Sequence, residues 1–242
     1  MTNLSYIGSE LELFRKAHNW KSYWSLLVKE YLGAEVLEVG AGIGGTTEAL
    51  CKGNQKRWVC LEPDPVLVNT LNSSIIEGCL SSCCEVMIGT LLDLNHEEIF
   101  DTIIYIDVLE HIKDDRNEIT LAASHLKEGG FLVVLAPAHQ WLFTPFDKSI
   151  GHYRRYNRRM LSTLAPETLE SVSLMYLDCI GLLASLSNRL ILKSKMPSMK
   201  QILLWDTMMV PLSRGLDPLL QYSVGKSILC VWQKKFSGKS KL

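Results

Sequence analysis

The most constraining stretch of this chain is a β-type run that ends in glycines and opens a helix. Val36-Leu37-Glu38-Val39 reads as a strand, Gly40 to Gly45 as a tight turn, and Thr46 to Lys52 as the helix behind it. Gly40, Gly42 and Gly44 stand at G-x-G-x-G spacing. Glycine in such a turn admits left-handed backbone and lets a bound molecule approach without meeting a Cβ atom. The amino end of the following helix adds partial positive charge. A strand–turn–helix of this kind needs a sheet to join.

The next segments supply one. Arg57 to Leu61 reads as a strand, Val66 to Glu77 as a helix, Glu85 to Ile88 as a strand and Asp101 to Ile106 as a strand. Asp114 to Leu126 reads as a helix with Ile119, Ala122, Ala123 and Leu126 on one face, and Lys127-Glu128-Gly129-Gly130 reads as its stop. Phe131 to Ala136 is nearly all apolar, as strands buried on both faces are. Alternation of this sort builds a parallel sheet with right-handed crossovers. Two regions break the rhythm. Residues 1–32 read as an N-terminal helical cap, with Trp20, Tyr23, Trp24 and Leu27 at helical spacing. Residues 137–160 form a long polar and aromatic loop, placed where an active site would be. After the strand Leu169 to Leu177, residues 181–214 read as a helical insertion, and Lys226 to Gln233 as a closing strand. No linker or repeat divides the chain, so residues 1–242 are read as a single domain. Ser237 to Leu242 are read as a frayed end.

Glycine spacing alone admits two cofactors, because Gly45 also completes a G-x-G-x-x-G dinucleotide pattern. Two carboxylates separate them. Glu38, two residues before the first glycine, would attract an ammonium or sulfonium group and repel a pyrophosphate. Glu62, at the end of the second strand, can accept both hydroxyls of a ribose. A nucleoside that carries positive charge and no phosphate is S-adenosylmethionine.

With these residues in view, the chain resembles the class I S-adenosylmethionine-dependent methyltransferases. Glu38-Val39-Gly40-Ala41-Gly42-Ile43-Gly44 is similar to their first motif, Asp107-Val108-Leu109-Glu110-His111-Ile112 to their fourth, and Leu126 to Gly130 to the turn before their fifth strand. The resemblance implies an α/β, Rossmann-like, doubly wound, mostly parallel seven-stranded sheet with one antiparallel strand near the end and a helical insertion before the last strand. It places the methionine part of the cofactor against Gly40, Ala41 and Gly42, with Glu38 and Asp107 at the strand ends beside it. Glu62, followed by Pro63, would hold the ribose, and Thr90 and Leu91 would border the adenine. Asn19 and Trp20 resemble a segment that closes over the cofactor in relatives.

The segment Phe146 to Tyr156 carries a G-H-x-R-R-Y run similar to that of bacterial methyltransferases acting on small molecules and cell-surface glycans. Methyl transfer needs alignment and a free lone pair on the acceptor, and an oxygen or nitrogen acceptor also calls for a base. His152 is the preferred base and His111 the second candidate, which could instead orient the site. Arg154, Arg155 and Tyr156 are read as acceptor-binding, with a carboxylate or phosphate as the natural partner of the arginines. The same arginines could instead bond Asp147 and lock the loop. Trp205, with Met208 and Met209, is read as part of an apolar acceptor wall or a dimer interface. Gly225-Lys226-Ser227 ends like a phosphate loop, but position 220 is Leu where that loop requires glycine.

Bulk properties narrow the function further. A net charge of −1 offers no broad attraction for nucleic acid. Seven cysteines, an odd number, suit a reducing compartment and a cytoplasmic location. Cys79, Cys83 and Cys84 lack a second ligand pair, so no metal is assigned. Glu10, Glu12, Arg15 and Lys16 interrupt any leader, and Asp178, Asn188 and Arg189 break the apolar tract from Leu174 to Leu192, so no membrane span is expected. The reading is methyl transfer to an O, N or C atom of a small metabolite or sugar, with room for a homodimer. Its rivals are an NAD(P)-dependent oxidoreductase, a non-catalytic S-adenosylmethionine-binding module, and an enzyme that uses the cofactor without moving its methyl group.

Overall fold

The computed structural model describes residues 10–187 and 198–237. Seven strands form one sheet: β1 (Glu35–Val39), β2 (Arg57–Glu62), β3 (Cys84–Ile88), β4 (Phe100–Ile106), β5 (Leu126–Pro137), β6 (Leu169–Leu177) and β7 (Ser227–Lys234). Their order is β3-β2-β1-β4-β5-β7-β6. The first five strands run parallel, and β7 lies antiparallel between β5 and β6. The order reverses between β1 and β4, and ligands of open α/β sheets bind in the crevice beyond the carboxyl ends of the strands at such a point. Glu38 and Asp107 lie at those ends.

Period-two alternation sorts the central strands between two cores. Leu37, Val39, Ile103, Tyr105, Leu132, Val134 and Trp232 pack on one face of the sheet. Val36, Trp58, Cys60, Ile104, Val133, Leu135 and Val231 pack on the other, joined by Trp20, Trp24 and Trp205. The connecting helices are α1 (Glu10–Arg15), α2 (His18–Val28), α3 (Gly45–Leu50), α4 (Pro65–Ile76), α5 (Asp115–Ser124), α6 (Pro145–Ser149), α7 (Arg158–Leu164) and α8 (Cys179–Ser187). A last helical rod comprises α9 (Met199–Leu204), a π-helical turn (Trp205–Met209) and α10 (Val210–Leu219). Asp64 and Asn157 cap α4 and α7 with their side chains.

Two boundaries and one cluster differ from the sequence reading. Lys127 to Gly130 does not stop a helix. α5 ends at Ser124, the His125 carbonyl accepts from Phe100 N, and Leu126 already pairs with Phe100 in the sheet. The glycines absorb a register shift there, and a Cβ on Gly130 would lie 2.8 Å from the Asp101 carbonyl oxygen. The insertion reaches Leu219, past residue 214, because Asp217 is spent inside it. The cysteines also regroup: Cys51, Cys83 and Cys84 converge behind the sheet, while Cys79 is exposed. The expectations for residues 1–9 and 188–197, and for the frayed end from residue 238, lie outside the described residues.

Three buried aspartates fasten the rod to the rest of the fold. Asp206 accepts from the backbone N–H of Asn19 and Trp20 and so caps the start of α2. Asp217 accepts from the Tyr23 hydroxyl at 2.7 Å and from Asp178 N and Cys179 N. Asp178 accepts from Trp205 Nε1 at 2.7 Å, Ser213 Oγ at 2.6 Å and Gly181 N at 3.0 Å. Multiple donors of this kind allow a carboxylate to sit in a dry interior. Among the described residues no helix is long and apolar enough to cross a membrane.

Candidate active site

The β1–α3 turn is held by its glycines. Gly40 has φ +67°, and a Cβ there would lie 2.7 Å from a methyl carbon of Val108. Gly42, at φ +59°, donates its N–H to Glu62 Oε2 at 2.8 Å. The other oxygen of Glu62 accepts from Asp64 N at 3.0 Å. Burial pushes the Glu62 carboxyl up, against these backbone donors. Each of its oxygens has taken one donor and can accept another.

Glu38 is buried. Its Oε2 accepts from Thr47 Oγ1 at 2.7 Å and Trp58 Nε1 at 2.8 Å, and its Oε1 has no hydrogen-bond partner in the protein. Burial pushes its pKa to about 7, although Thr47 and Trp58 pull it down. A cationic partner would therefore favour the ionised form of Glu38. An ammonium group would supply that charge and a donor for Oε1, and a pyrophosphate would supply neither. The glycine cradle, the unpartnered oxygen and the spare acceptors of Glu62 fit S-adenosylmethionine.

The surrounding residues are placed as follows. Leu11 lies over Gly42, 3.7 Å from where a Cβ would stand, and Lys21 Nζ lies 3.0 Å from the same position on Gly45. Trp20 is buried against Trp205, with ring centroids 5.8 Å apart. Thr90 donates from its N–H and hydroxyl to Asp93, and Leu91 is buried beside it. Pro63 is half-buried after β2, and Ala41 is buried. Asp107 takes a positive φ of 55° just after β4 and is exposed.

Across the crevice the 137–160 loop closes around Asp147. This buried carboxylate accepts from Arg155 Nε at 2.7 Å and Nη2 at 3.0 Å, from Thr144 N and Oγ1, and from His152 Nδ1 at 3.1 Å. Burial alone would raise Asp147, but its bonds from His152 and Arg155 hold it well below the usual carboxylate range. With Nδ1–H donated to Asp147, the lone pair of His152 sits on Nε2, which faces Glu110 Oε1 at 3.8 Å. Glu110 is buried with neither oxygen hydrogen-bonded, and burial drives its carboxyl well up. The His111 ring stands edge-on to His152, centroids 4.5 Å apart, and burial with His152 lowers its pKa to about 4. Tyr153 N donates to the Glu110 carbonyl and ties the loop to this turn. The loop thus brings both candidate histidines together.

The three residues read as acceptor-binding each have partners within the protein. Arg155 gives its Nε and Nη2 to Asp147. Arg154 bonds Asp115 at 2.7 Å and the carbonyls of Ile112 and Lys113. Tyr156 is buried, and its hydroxyl donates to Asp115 at 2.8 Å. These residues brace the loop. Trp205 is likewise no loose pocket wall: its indole is bonded to Asp178 and its ring carries Lys226 Nζ 3.6 Å above it.

Sequence reasoning missed Glu110 and Lys226 and left Asp147 in a minor role. Thr144-x-x-Asp147 is a capping-box pattern, the one local signal that Asp147 turns inward. Lys226 is half-buried, 3.4 Å from Asp178, and burial lowers its pKa. Glu110, His111 and His152 also offer donor atoms within 4.8 Å of one another. Two imidazoles and a carboxylate suit a divalent first-row cation. The convergence is tertiary, so motif spacing does not announce it.

A family model described as a methyltransferase domain matches residues 14–172. A ubiquinone biosynthesis O-methyltransferase of Xanthomonas euvesicatoria pv. vesicatoria (strain 85-10) is 36% identical over 108 residues, and the match spans 43% of this chain and 43% of that protein. Among solved structures, N-methyltransferase NodS of Bradyrhizobium japonicum WM9 in complex with S-adenosyl-L-homocysteine aligns at TM-score 0.57 and 17% identity, over 90% of this chain and 88% of that one. A methyltransferase of Haloferax volcanii, in complex with the activator Trm112, aligns at TM-score 0.64 and 13% identity over 96% of each chain. These structures share the fold, and the family model covers well over half of the sequence. The chain belongs to the methyltransferase-domain family, and its fold is the class I, Rossmann-like fold of the methyltransferase structures it aligns with.

Proposed function

We propose that the enzyme methylates a small metabolite or sugar, with an oxygen as the preferred acceptor atom and His152 as its base. The observation that carries this reading is the Asp147–His152 pair: a carboxylate fixes Nδ1–H and leaves the lone pair on Nε2, on the side of Glu110. A hydroxyl is a poor nucleophile until its proton moves, so a base at this point lowers the barrier for oxygen more than for an amine already neutral. S-adenosylmethionine supplies the electrophilic methyl carbon. Glu38 and Glu62 would hold its ammonium and ribose, and Gly40 to Gly42 would let it approach the backbone. Thr90 and Leu91 would border the adenine, and Trp20 would close the far side. A net charge of −1 favours a small acceptor over nucleic acid.

The test is a screen of phenols, catechols and sugars with isotopically labelled S-adenosylmethionine, followed by His152→Gln on the best acceptor. Turnover should fall about 10²-fold or more, with S-adenosylhomocysteine affinity unchanged. A variant that turns over at the wild-type rate would remove His152 from the chemistry.

A second reading is favoured by the unpartnered oxygens of Glu110. A divalent cation held by Glu110, His111 and His152 would bind the acceptor oxygen in its ionised form and replace the base. Calorimetric titration with Mn²⁺ decides it. Tight binding that Glu110→Gln abolishes, with activity lost to a chelator, supports the cation, and turnover indifferent to the chelator dismisses it.

A further inference from the structure

The sulfurs of Cys51, Cys83 and Cys84 meet beside the amino end of β3. Cys51 Sγ lies 3.4 Å from Cys83 Sγ and 3.6 Å from Cys84 Sγ, and all three sulfurs fall within 4.8 Å of one another. A free cysteine in a core ordinarily serves as a small apolar side chain, and Cys230 is buried among apolar neighbours in that way. Three sulfurs turned onto one point are a different arrangement, because packing alone requires no such convergence. The backbone fixes all three positions. Cys51 follows α3, and its N–H donates to Thr47 O at 2.8 Å. The Cys83 carbonyl accepts from Trp58 N at 2.9 Å, and Cys84 N donates to Ser81 O at 3.0 Å.

The donor set identifies its partner. Sulfur ligands select soft cations over magnesium, calcium or manganese. Thiolates about 2.3 Å from a tetrahedral d10 cation stand about 3.8 Å apart. The two gaps at Cys51, 3.4 and 3.6 Å, fall close to that spacing. A divalent ion leaves one net negative charge on three thiolates and a monovalent ion leaves two, and a partly buried site favours the smaller charge. Donors to sulfur are already in place: the Gly53 N–H bonds the Cys51 sulfur, and Ser81 Oγ lies 3.3 Å from Cys83 Sγ. Such outer groups orient ligands and support their charge. Cys51 and Cys84 are buried and Cys83 is half-buried, while Lys52, Gly53 and Ser82 beside them are exposed. An ion therefore has a way in, and water can complete its coordination.

We propose that Cys51, Cys83 and Cys84 form a binding site for a thiophilic divalent d10 cation, of the zinc and cadmium class. The ion takes three thiolates and a water, and the three thiol protons leave to solvent. It ties the end of α3 to the start of β3. Binding adds to folding stability, because an unfolded chain does not hold the three sulfurs together. The site lies at the amino end of β3, away from the crevice at the carboxyl ends of the strands and from Glu110, His111 and His152. Cys79, which is exposed, stands outside the cluster.

The experiment is titration of the fully reduced full chain with Cd²⁺ under inert gas, followed by the sulfur-to-cadmium charge-transfer band in the ultraviolet. One equivalent should saturate a band of three-thiolate intensity, and Zn²⁺ should compete for the same site. Cys51→Ser and Cys84→Ser should each lower the band and weaken binding at least about tenfold. Cys83→Ser repeats the test at the half-buried position, where the fold has least to lose. Cys79→Ser and Glu110→Gln should leave both band and affinity unchanged, and the second variant separates this site from the histidine cluster, which gives no sulfur band. Three results would each overturn the proposal. One is a band that survives both Cys51→Ser and Cys83→Ser, and another is a band lost with Cys79→Ser. The third is no band in the reduced protein, whether or not the unreduced protein carries a Cys51–Cys83 disulfide.

Discussion

Glu38 and Asp147 are both buried carboxylates, yet they sit at opposite states of satisfaction. Glu38 has two donors on one oxygen and none on the other, and its pKa is held up near neutrality. Asp147 takes Arg155, His152 and Thr144 together and stays ionised far below the usual range. The cofactor side of the crevice thus keeps hydrogen-bonding capacity in reserve for a ligand. The opposite side has used most of its charge on itself, to brace the 137–160 loop, and leaves one imidazole nitrogen on the side of Glu110. A charged residue near a site is therefore a ligand contact only if the protein has not already claimed it.

The strongest way to break this contrast is Asp147→Ala. The change strands the guanidinium of Arg155, which is mostly buried, and frees the His152 ring. Removing one partner of such a pair costs about 3–5 kcal/mol. Thermal unfolding should register most of that loss, and turnover should fall with it. A melting temperature close to wild type would mean that the loop is held by something other than Asp147. The corresponding change on the cofactor side is Gly40→Ala. The positive φ and the close Val108 methyls together cost about 2–4 kcal/mol. Calorimetry with S-adenosylhomocysteine should then show binding weakened by about 10²-fold, whereas Asp147→Ala, destabilised to a similar extent, should keep that affinity within about a few-fold of wild type. Equal loss of cofactor affinity in the two variants would erase the distinction between a site in reserve and a site already spent.

The same contrast explains what the sequence disclosed. The β1 turn was legible because strand, glycines and both glutamates lie at ends of elements that a periodic pattern marks. Their partners, Thr47, Trp58 and Gly42, come from the same βαβ unit. The mostly parallel seven-stranded sheet followed from the alternation together with the family resemblance, apart from Lys127 to Gly130, where two glycines serve a register shift and mimic a helix end. The acceptor side was only half legible. His111 and His152 could be singled out by type, but their meeting, and the enclosure of Glu110 beside them, depends on a loop folding back over a turn after β4. Arg154 and Arg155 looked like anion ligands because a sequence shows which charges are present and conceals their partners. Trp205 misled for the same reason: Asp178, Asp206 and Asp217 act from within apolar runs, where a lone acid reads as an interruption.

The finest test of the contrast is the pH response of Glu38→Gln. In the unfolded chain Glu38 should lose its proton near its ordinary value of 4.5, and in the folded protein only near 7. Between those values the native state holds more protons than the unfolded one, so stability falls as pH rises through that window. Glutamine removes the titration while its carbonyl keeps an acceptor for Thr47 and Trp58. The variant should therefore lose this downward slope, and the difference from wild type should amount to about 1–3 kcal/mol above neutrality. Binding should move the other way. If an ammonium group neutralises Oε1, wild-type affinity for S-adenosylhomocysteine rises between about pH 6 and pH 8 as Glu38 ionises, and the variant shows no such rise. A variant that copies the wild-type binding profile, while still flattening the stability curve, would keep Glu38 as a strained core carboxylate and move the ammonium contact to Asp107.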